Sequence, residues 1–161
     1  MKRVFLIVTL VIILDQLTKQ WITRTMEIGD SNPLINNFLY ITYHRNSGAA
    51  FGILQGQMIF FYIVTAIAVI GVGIWLRKLN MKREKVLTVA LALILGGTLG
   101  NFIDRVIYQA VIDFIHTIWW GWQFPIFNVA DMALTVGTVL LAFDMFILDR
   151  KRSKDLYFKM D

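Results

Sequence analysis

Cysteine does not occur in this 161-residue sequence, which excludes a thiol nucleophile, a disulfide relay of the kind quinone-linked membrane oxidases use, and thiolate metal sites. The chain also cannot itself carry the lipid of a lipoprotein cysteine. Histidine is scarce: His44 and His116 stand alone, without a His-Glu-x-x-His pair, so they read as surface histidines rather than zinc ligands. Serine occurs only at Ser31, Ser47 and Ser153, in neither a Gly-x-Ser-x-Gly turn nor a Ser/Lys pair. The Gly-x-Gly-Asp mark of presenilin-like intramembrane proteases is missing as well.

What is abundant is hydrocarbon. Hydrophobic residues make up 57% of the chain and the mean hydropathy is +0.62, too apolar for an ordinary water-soluble core. A net charge of +5 does not imply a nucleic-acid partner, because the basic residues cluster between long apolar runs instead of forming one polar face. A membrane span needs about 20 apolar residues to cross ~30 Å of hydrocarbon. Four segments qualify: 4–23, 58–76, 86–107 and 126–148. Met1-Lys2-Arg3 and the run from Val4 to Leu14 imitate a secretory signal, but no small-residue cleavage site follows, and Asp15, Gln16, Thr18 and Lys19 interrupt the run. The expectation is an uncleaved first span.

Lys and Arg are retained on the cytoplasmic side of short loops. Lys2, Arg3, Arg77, Lys78, Lys82, Arg83, Lys85, Arg150, Lys151, Arg152, Lys154 and Lys159, 12 of the 16 basic residues, fall at the termini or between the second and third spans. Both termini are therefore expected in the cytoplasm, with loops 24–57 and 108–125 outside. In the first loop, Gly29-Asp30-Ser31-Asn32-Pro33 reads as a turn before a strand-like run from Phe38 to Tyr43; in the second, Val111 to Ile115 is strand-like. Trp119, Trp120 and Trp122 follow, and indoles favour the headgroup zone, where they would seat the loop on the membrane.

A carboxylate at the edge of hydrocarbon costs about 2.5–3.5 kcal/mol even on lenient scales. Asp15, Asp104, Asp113 and Asp131 all project to the outward half of the bilayer or just above it. Asp15 and Lys19 are one turn apart, so an intrahelical ion pair with the lysine snorkelling outward explains them locally. Asn101, Asp104 and Arg105 share a helix face, where the acid and base can organise the helix end. Gly96, Gly97 and Gly100 include a Gly-x-x-x-Gly pair that lets a neighbouring helix approach. Asn128 and Asp131 match an N-cap with an acidic third residue. Asp113 has no such local explanation. Two aspartates meeting in a poorly solvated site share one proton, and such a pair activates water without metal or covalent intermediate. Spacing alone allows any two of the four acids to pair.

The residues resemble the lipoprotein signal peptidase (signal peptidase II) family of bacterial membranes. Five blocks carry the resemblance over essentially the whole chain: Asp15-Gln-Leu-Thr-Lys19, Asn46-Ser-Gly-Ala-Ala-Phe51, Gly96 to Arg105, Val111-Ile-Asp-Phe114 and Phe127-Asn-Val-Ala-Asp131. It implies an intramembrane aspartic endopeptidase that cuts a prolipoprotein's signal peptide just before a cysteine bearing diacylglycerol, with Asp113 and Asp131 as the paired acids. The cap reading of Asp131 yields to that role, and the two are geometrically compatible. By the same resemblance Asp15, Asn46, Gly48, Asn101, Arg105 and Asn128 position the dyad or hold the substrate, whereas Lys19, Asp104, Gly96 and Gly100 are structural. No metal or cofactor is implied.

The expectation is thus a single domain over residues 1–161: a membrane all-α protein of four transmembrane helices with a small extracytoplasmic β element. It would be a monomer in the bacterial cytoplasmic membrane, with membrane lipid and prolipoprotein as partners and the first loop's strands as a cradle and lid. A proton-coupled transporter would also place acids on facing helices, but it needs polar access from both sides, and the cytoplasmic half is nearly uninterrupted hydrocarbon except near Asp144. A non-catalytic assembly subunit would survive loss of both aspartates.

Overall fold

The structure, a computed structural model, describes residues 1–49 and 53–148. Ala50 and Phe51 of the second block, and the basic residues from Arg150 onward, lie outside the described residues. Among the described residues four helices are long and apolar enough to cross a membrane: α1 (Lys2–Thr25), α2 (Met58–Lys78), α3 (Lys85–Tyr108) and α4 (Val129–Phe143), the last running on into a π-helical turn (Asp144–Leu148). Their outward side chains are bare hydrocarbon, among them Phe5, Ile59 and Ile67. In water such faces would associate; in lipid they are solvated.

The apolar window of α3 is 50% buried inside the protein, against 22% or less in the other three helices, so α3 is the central one. It packs most extensively on α4 and α1, and its glycines make that possible. A Cβ at Gly96 would stand 2.8 Å from the Val11 side chain, and one at Gly100 would stand 2.7 Å from Asp15 Oδ2 and 3.2 Å from Ala130 Cβ. A Cβ at Gly97 would collide with the Ala130 carbonyl. The small-residue stripe therefore sets both the α1 and the α4 contact. At the opposite end of the bundle Val4, Leu76, Leu87 and Leu91 close an apolar cluster.

Above the bundle lies an antiparallel sheet in the order β1-β2-β3-β4, made of β1 (Ser31–Ile35), β2 (Leu39–Asn46), β3 (Val111–Trp119) and β4 (Trp122–Gln123). The expected turn at Gly29–Pro33 is only half right: Ser31 to Pro33 pair with Thr42 to Tyr40. Pro33 is tolerated because β1 is the edge of the sheet, where a missing N–H breaks no ladder. β4, which the sequence reading did not foresee, follows a turn at Trp120 and Gly121, both at positive φ. α4 starts later than the apolar run suggests, because Phe127 still bonds to Phe114 and Ile115 of β3.

The β2–β3 ladder contains the feature that shapes the site. Ile41 faces Ile115, yet His44 faces Asp113, so β2 holds one residue more than β3 between the two pairs. This bulge shifts the alternation of β2 by one. An unbroken register would place Tyr43 beside Asp113 and turn Asn46 to the other face. The bulge brings His44 and Asn46 to the Asp113 side and buries Tyr43 with Ile22, Ile112 and Phe114 over the end of α1.

Candidate active site

Two layers of polar side chains stand between the sheet and the helices. The lower layer is closed. Lys19 is 1% exposed and does not snorkel, contrary to the expectation from α1 alone, because α3 supplies a second acid. Its ammonium lies 2.9 Å from Asp15 and 2.8 Å from Asp104. Asp15 also accepts the Ala130 N–H at the head of α4 (2.9 Å), and Asp104 accepts the Ile112 N–H of β3 (3.0 Å). One buried cluster thus ties together α1, α3, α4 and β3. Gln16 completes it, donating to Asp104 (2.9 Å), Asp15 (3.2 Å) and the Gly100 carbonyl (3.3 Å). The sequence reading missed Gln16, whose position next to Asp15 on α1 is the only local signal.

The upper layer opens on a cleft of about 840 Å³, lined by residues of β2, β3, α3 and α4 that include both Asp113 and Asp131. Asp113, 2% exposed, accepts from Asn128 Nδ2 at 2.7 Å and from Asn46 Nδ2 at 3.1 Å. Asp131 accepts from Asn101 Nδ2 at 2.8 Å and from the Asn128 backbone N–H at 3.2 Å. The Asn128 side-chain oxygen takes the Asp131 N–H at 2.9 Å, so the N-cap expected from the sequence is present as a reciprocal capping box. Asn128 therefore serves both acids at once: its amide N–H₂ reaches Asp113 while its backbone and carbonyl hold Asp131.

Burial, followed by the negative charge of Asp131, pushes the Asp113 carboxyl up to about 7, against the weaker pull of the amide bonds from Asn46 and Asn128. The physical reason is that an ion in a poorly solvated pocket loses hydration, and a second anion beside it adds repulsion. Below about pH 7 the Asp113 carboxyl therefore keeps its proton.

Arg105 reaches the same cleft. Its guanidinium lies 4.4 Å from the centre of the Phe61 ring and donates to the carbonyls of Gly48 (3.4 Å) and Asn101 (3.5 Å). Gly48 is held in turn by its N–H to Asn46 Oδ1 at 2.9 Å. Asp104 and Arg105 therefore point to different layers and do not pair, despite their adjacency. Gly96 and Gly100 serve helix contact. His44, read from sequence as a plain surface residue, lines the cleft beside Asp113, which only the bulge explains. Among the described residues no group of three or more His, Asp or Glu side chains could hold a metal ion.

Membrane-length helices, a sheet at one end and two amide-held carboxylates on one cleft are the parts that an acid–base hydrolase in a lipid bilayer requires. The family described as signal peptidase (SPase) II matches residues 7–147. A lipoprotein signal peptidase of Bacillus pumilus is 52% identical over 94% of this chain and 96% of its own length, and one from Halalkalibacterium halodurans is 53% identical over the same shares. A solved bacterial membrane enzyme superposes with a TM-score of 0.84 at 44% identity, covering 96% of this chain and 92% of that one. The chain belongs to the signal peptidase II family, and with it to the aspartic peptidases of bacterial membranes.

Proposed function

We propose that this protein removes the signal peptide from bacterial prolipoproteins, cutting before a diacylglyceryl-modified cysteine, with Asp113 and Asp131 as the water-activating pair. The observation that carries this reading is the shared Asn128, which holds both acids at the wall of one cleft. Asp131, facing two N–H donors at the start of α4, bears the negative charge. Asp113 keeps the proton.

In the proposed cycle Asp131 takes a proton from water as the water oxygen attacks the scissile carbonyl carbon, and Asp113 gives its proton to the carbonyl oxygen. The tetrahedral diol collapses when Asp131 passes its proton to the amide nitrogen and the C–N bond breaks, while Asp113 recovers a proton from a diol hydroxyl. Both acids end as they began. Asn46, Asn101 and Asn128 orient the pair, and Arg105 with the Gly48 backbone holds the peptide. Asp15, Lys19 and Asp104 keep the helices in place beneath them.

The cleft suits a lipid-bearing substrate. Met132, Thr135 and Val136 of α4 are exposed on the outer helix face and line it, so acyl chains can stay in the bilayer while the peptide bond reaches the acids. The apolar outer faces and the basic residues Lys2, Arg3, Arg77, Lys78, Lys82, Arg83 and Lys85 gathered at the far end support an orientation with that end in the cytoplasm and the cleft on the outer side of the cytoplasmic membrane. In this reading the whole chain acts as one peptidase domain, and β1 and β2 form a cradle and lid over an extended peptide.

The test is direct. Purified protein incubated with a diacylglyceryl-cysteine prolipoprotein is expected to release the signal peptide, and Asp113→Asn and Asp131→Asn are expected to release none while remaining folded. Turnover surviving in both variants would overturn the reading.

A further inference from the structure

The two polar layers touch at one amide. Asn101 Oδ1 accepts from Lys19 Nζ at 3.1 Å and from Asn128 Nδ2 at 3.2 Å, and Asn101 Nδ2 donates to Asp131 Oδ1 at 2.8 Å. An amide has a donor end and an acceptor end, whereas an ammonium has donors only. The direction of this chain is therefore set from below. A reversed Asn101 would press its N–H₂ against the Lys19 ammonium and the Asn128 N–H₂, and its carbonyl against the Asp131 carboxylate.

The geometry points to Lys19 as a positioning residue for the hydrolysis: its ammonium holds the carbonyl end of Asn101 and thereby keeps the N–H end on Asp131, fixing the negative charge of the pair there. This rests on the dyad proposed above and assigns to a buried ion cluster a part in the chemistry beyond helix packing. The asymmetry is the support. The relay from Lys19 ends on Asp131 through one amide, while Asp113 receives its amides from Asn46 and Asn128. Across space, Lys19 draws the Asp113 carboxyl down less than the amide bonds from Asn46 and Asn128 do. An ammonium-polarised amide is also a stronger donor than a neutral one, because linked hydrogen bonds reinforce one another. Asn128 grips the same carbonyl end but brings no charge.

The other ionisable groups around the site are Asp15 on α1, Asp104 and Arg105 on α3, His44 and Arg45 on β2, and Asp113 on β3. Lys19→Met alone would strand two buried carboxylates, so the informative variant is Lys19→Met/Asp104→Asn. It removes one positive and one negative charge and leaves the net charge of the lower layer unchanged. Asp104→Asn alone retains the ammonium and serves as the reference.

The measurement is kcat/KM against pH on folded, purified protein with a diacylglyceryl-cysteine prolipoprotein peptide, alongside thermal unfolding. The double variant is expected to lose activity on the order of tenfold or more, chiefly in kcat, with its acid limb moved upward by roughly half a pH unit or more, because the pair loses part of the donor strength that favours its negative charge. Asp104→Asn should keep the wild-type limb whatever its melting temperature. Lys19→Gln/Asp104→Asn, which still offers an uncharged donor to Asn101, should recover part of the turnover, and it carries the same test if the methionine variant does not fold. An acid limb identical to wild type in the Lys19 double variants overturns the role of Lys19. If Asp113→Asn and Asp131→Asn remain active in the same assay, the dyad itself has failed instead.

Discussion

Four buried or half-buried aspartates lie in two layers of the same molecule, and they are treated in opposite ways. Asp15 and Asp104 are given an ammonium and backbone N–H groups at 2.8–3.0 Å, which tie them into the scaffold. Asp113 and Asp131 are given amides and one backbone N–H, no cation within ion-pair distance among the described residues, and an open cleft. A compensated carboxylate is an anchor; an uncompensated pair exchanges protons. The residue type is the same and the counter-charge decides the role.

The widest separation between the layers should come from neutralising one acid in each. Asp113→Asn or Asp131→Asn should lower turnover by about three orders of magnitude or more with the folded protein retained, as measured by signal-peptide release beside thermal unfolding. Asp104→Ala should act in the opposite manner, costing about 3–5 kcal/mol of stability because it strands buried partners, as read from unfolding in detergent. The milder Asp104→Asn should also act more through stability; an activity loss equal to that of the dyad variants at normal folding would erase the distinction.

A subtler break comes from Gly100→Ala, whose new methyl would press on Asp15 Oδ2 and should cost about 1–3 kcal/mol, read from the same unfolding transition. Acidity sharpens the comparison further. With the Asp113 carboxyl raised to about 7, the folded state holds more protons than the unfolded chain between its ordinary carboxylate range and that value. Stability should therefore fall as pH rises through this window, and Asp113→Asn should flatten the dependence. The alkaline limb of kcat/KM should lie near 7, where Asp113 gives up its proton. The smallest effect is expected from Trp120→Ser at the tip of the β3–β4 turn. It should leave the detergent assay within about twofold and weaken activity in vesicles slightly, since an indole 97% exposed contributes by sitting in the headgroup zone.

The helices were legible because unbroken hydrocarbon of bilayer length has no other stable use, and β3 because Val111 to Ile115 is β-branched and apolar. β1 was obscured by its own turn residues, which an edge strand tolerates. Asp113 stood out as an acid without a local partner, but spacing could not say which acid it meets, since the partner comes from the far side of the fold and enters through Asn128. The resemblance of five short blocks pointed to Asp131, which shares Asn128 and the cleft with it. Lys19 misled for the same reason in reverse: α1 alone offers only Asp15, and nothing in its own sequence reveals that Asp104 waits on α3. The bulge that turns Asn46 and His44 toward Asp113 left no mark in the residues of β2.

The reciprocal cap at the head of α4 ties the chemistry to the backbone. Asp131 is at once half of a fastening and, in the proposed cycle, the group that picks up and surrenders a hydrogen ion at each cut. Whenever it is loaded, its grip on the Asn128 N–H slackens, and the first coil of the helix is held by the asparagine alone until the amine departs. In that cycle the scaffold registers every turnover as a brief loosening at the mouth of one helix, beside the cleft.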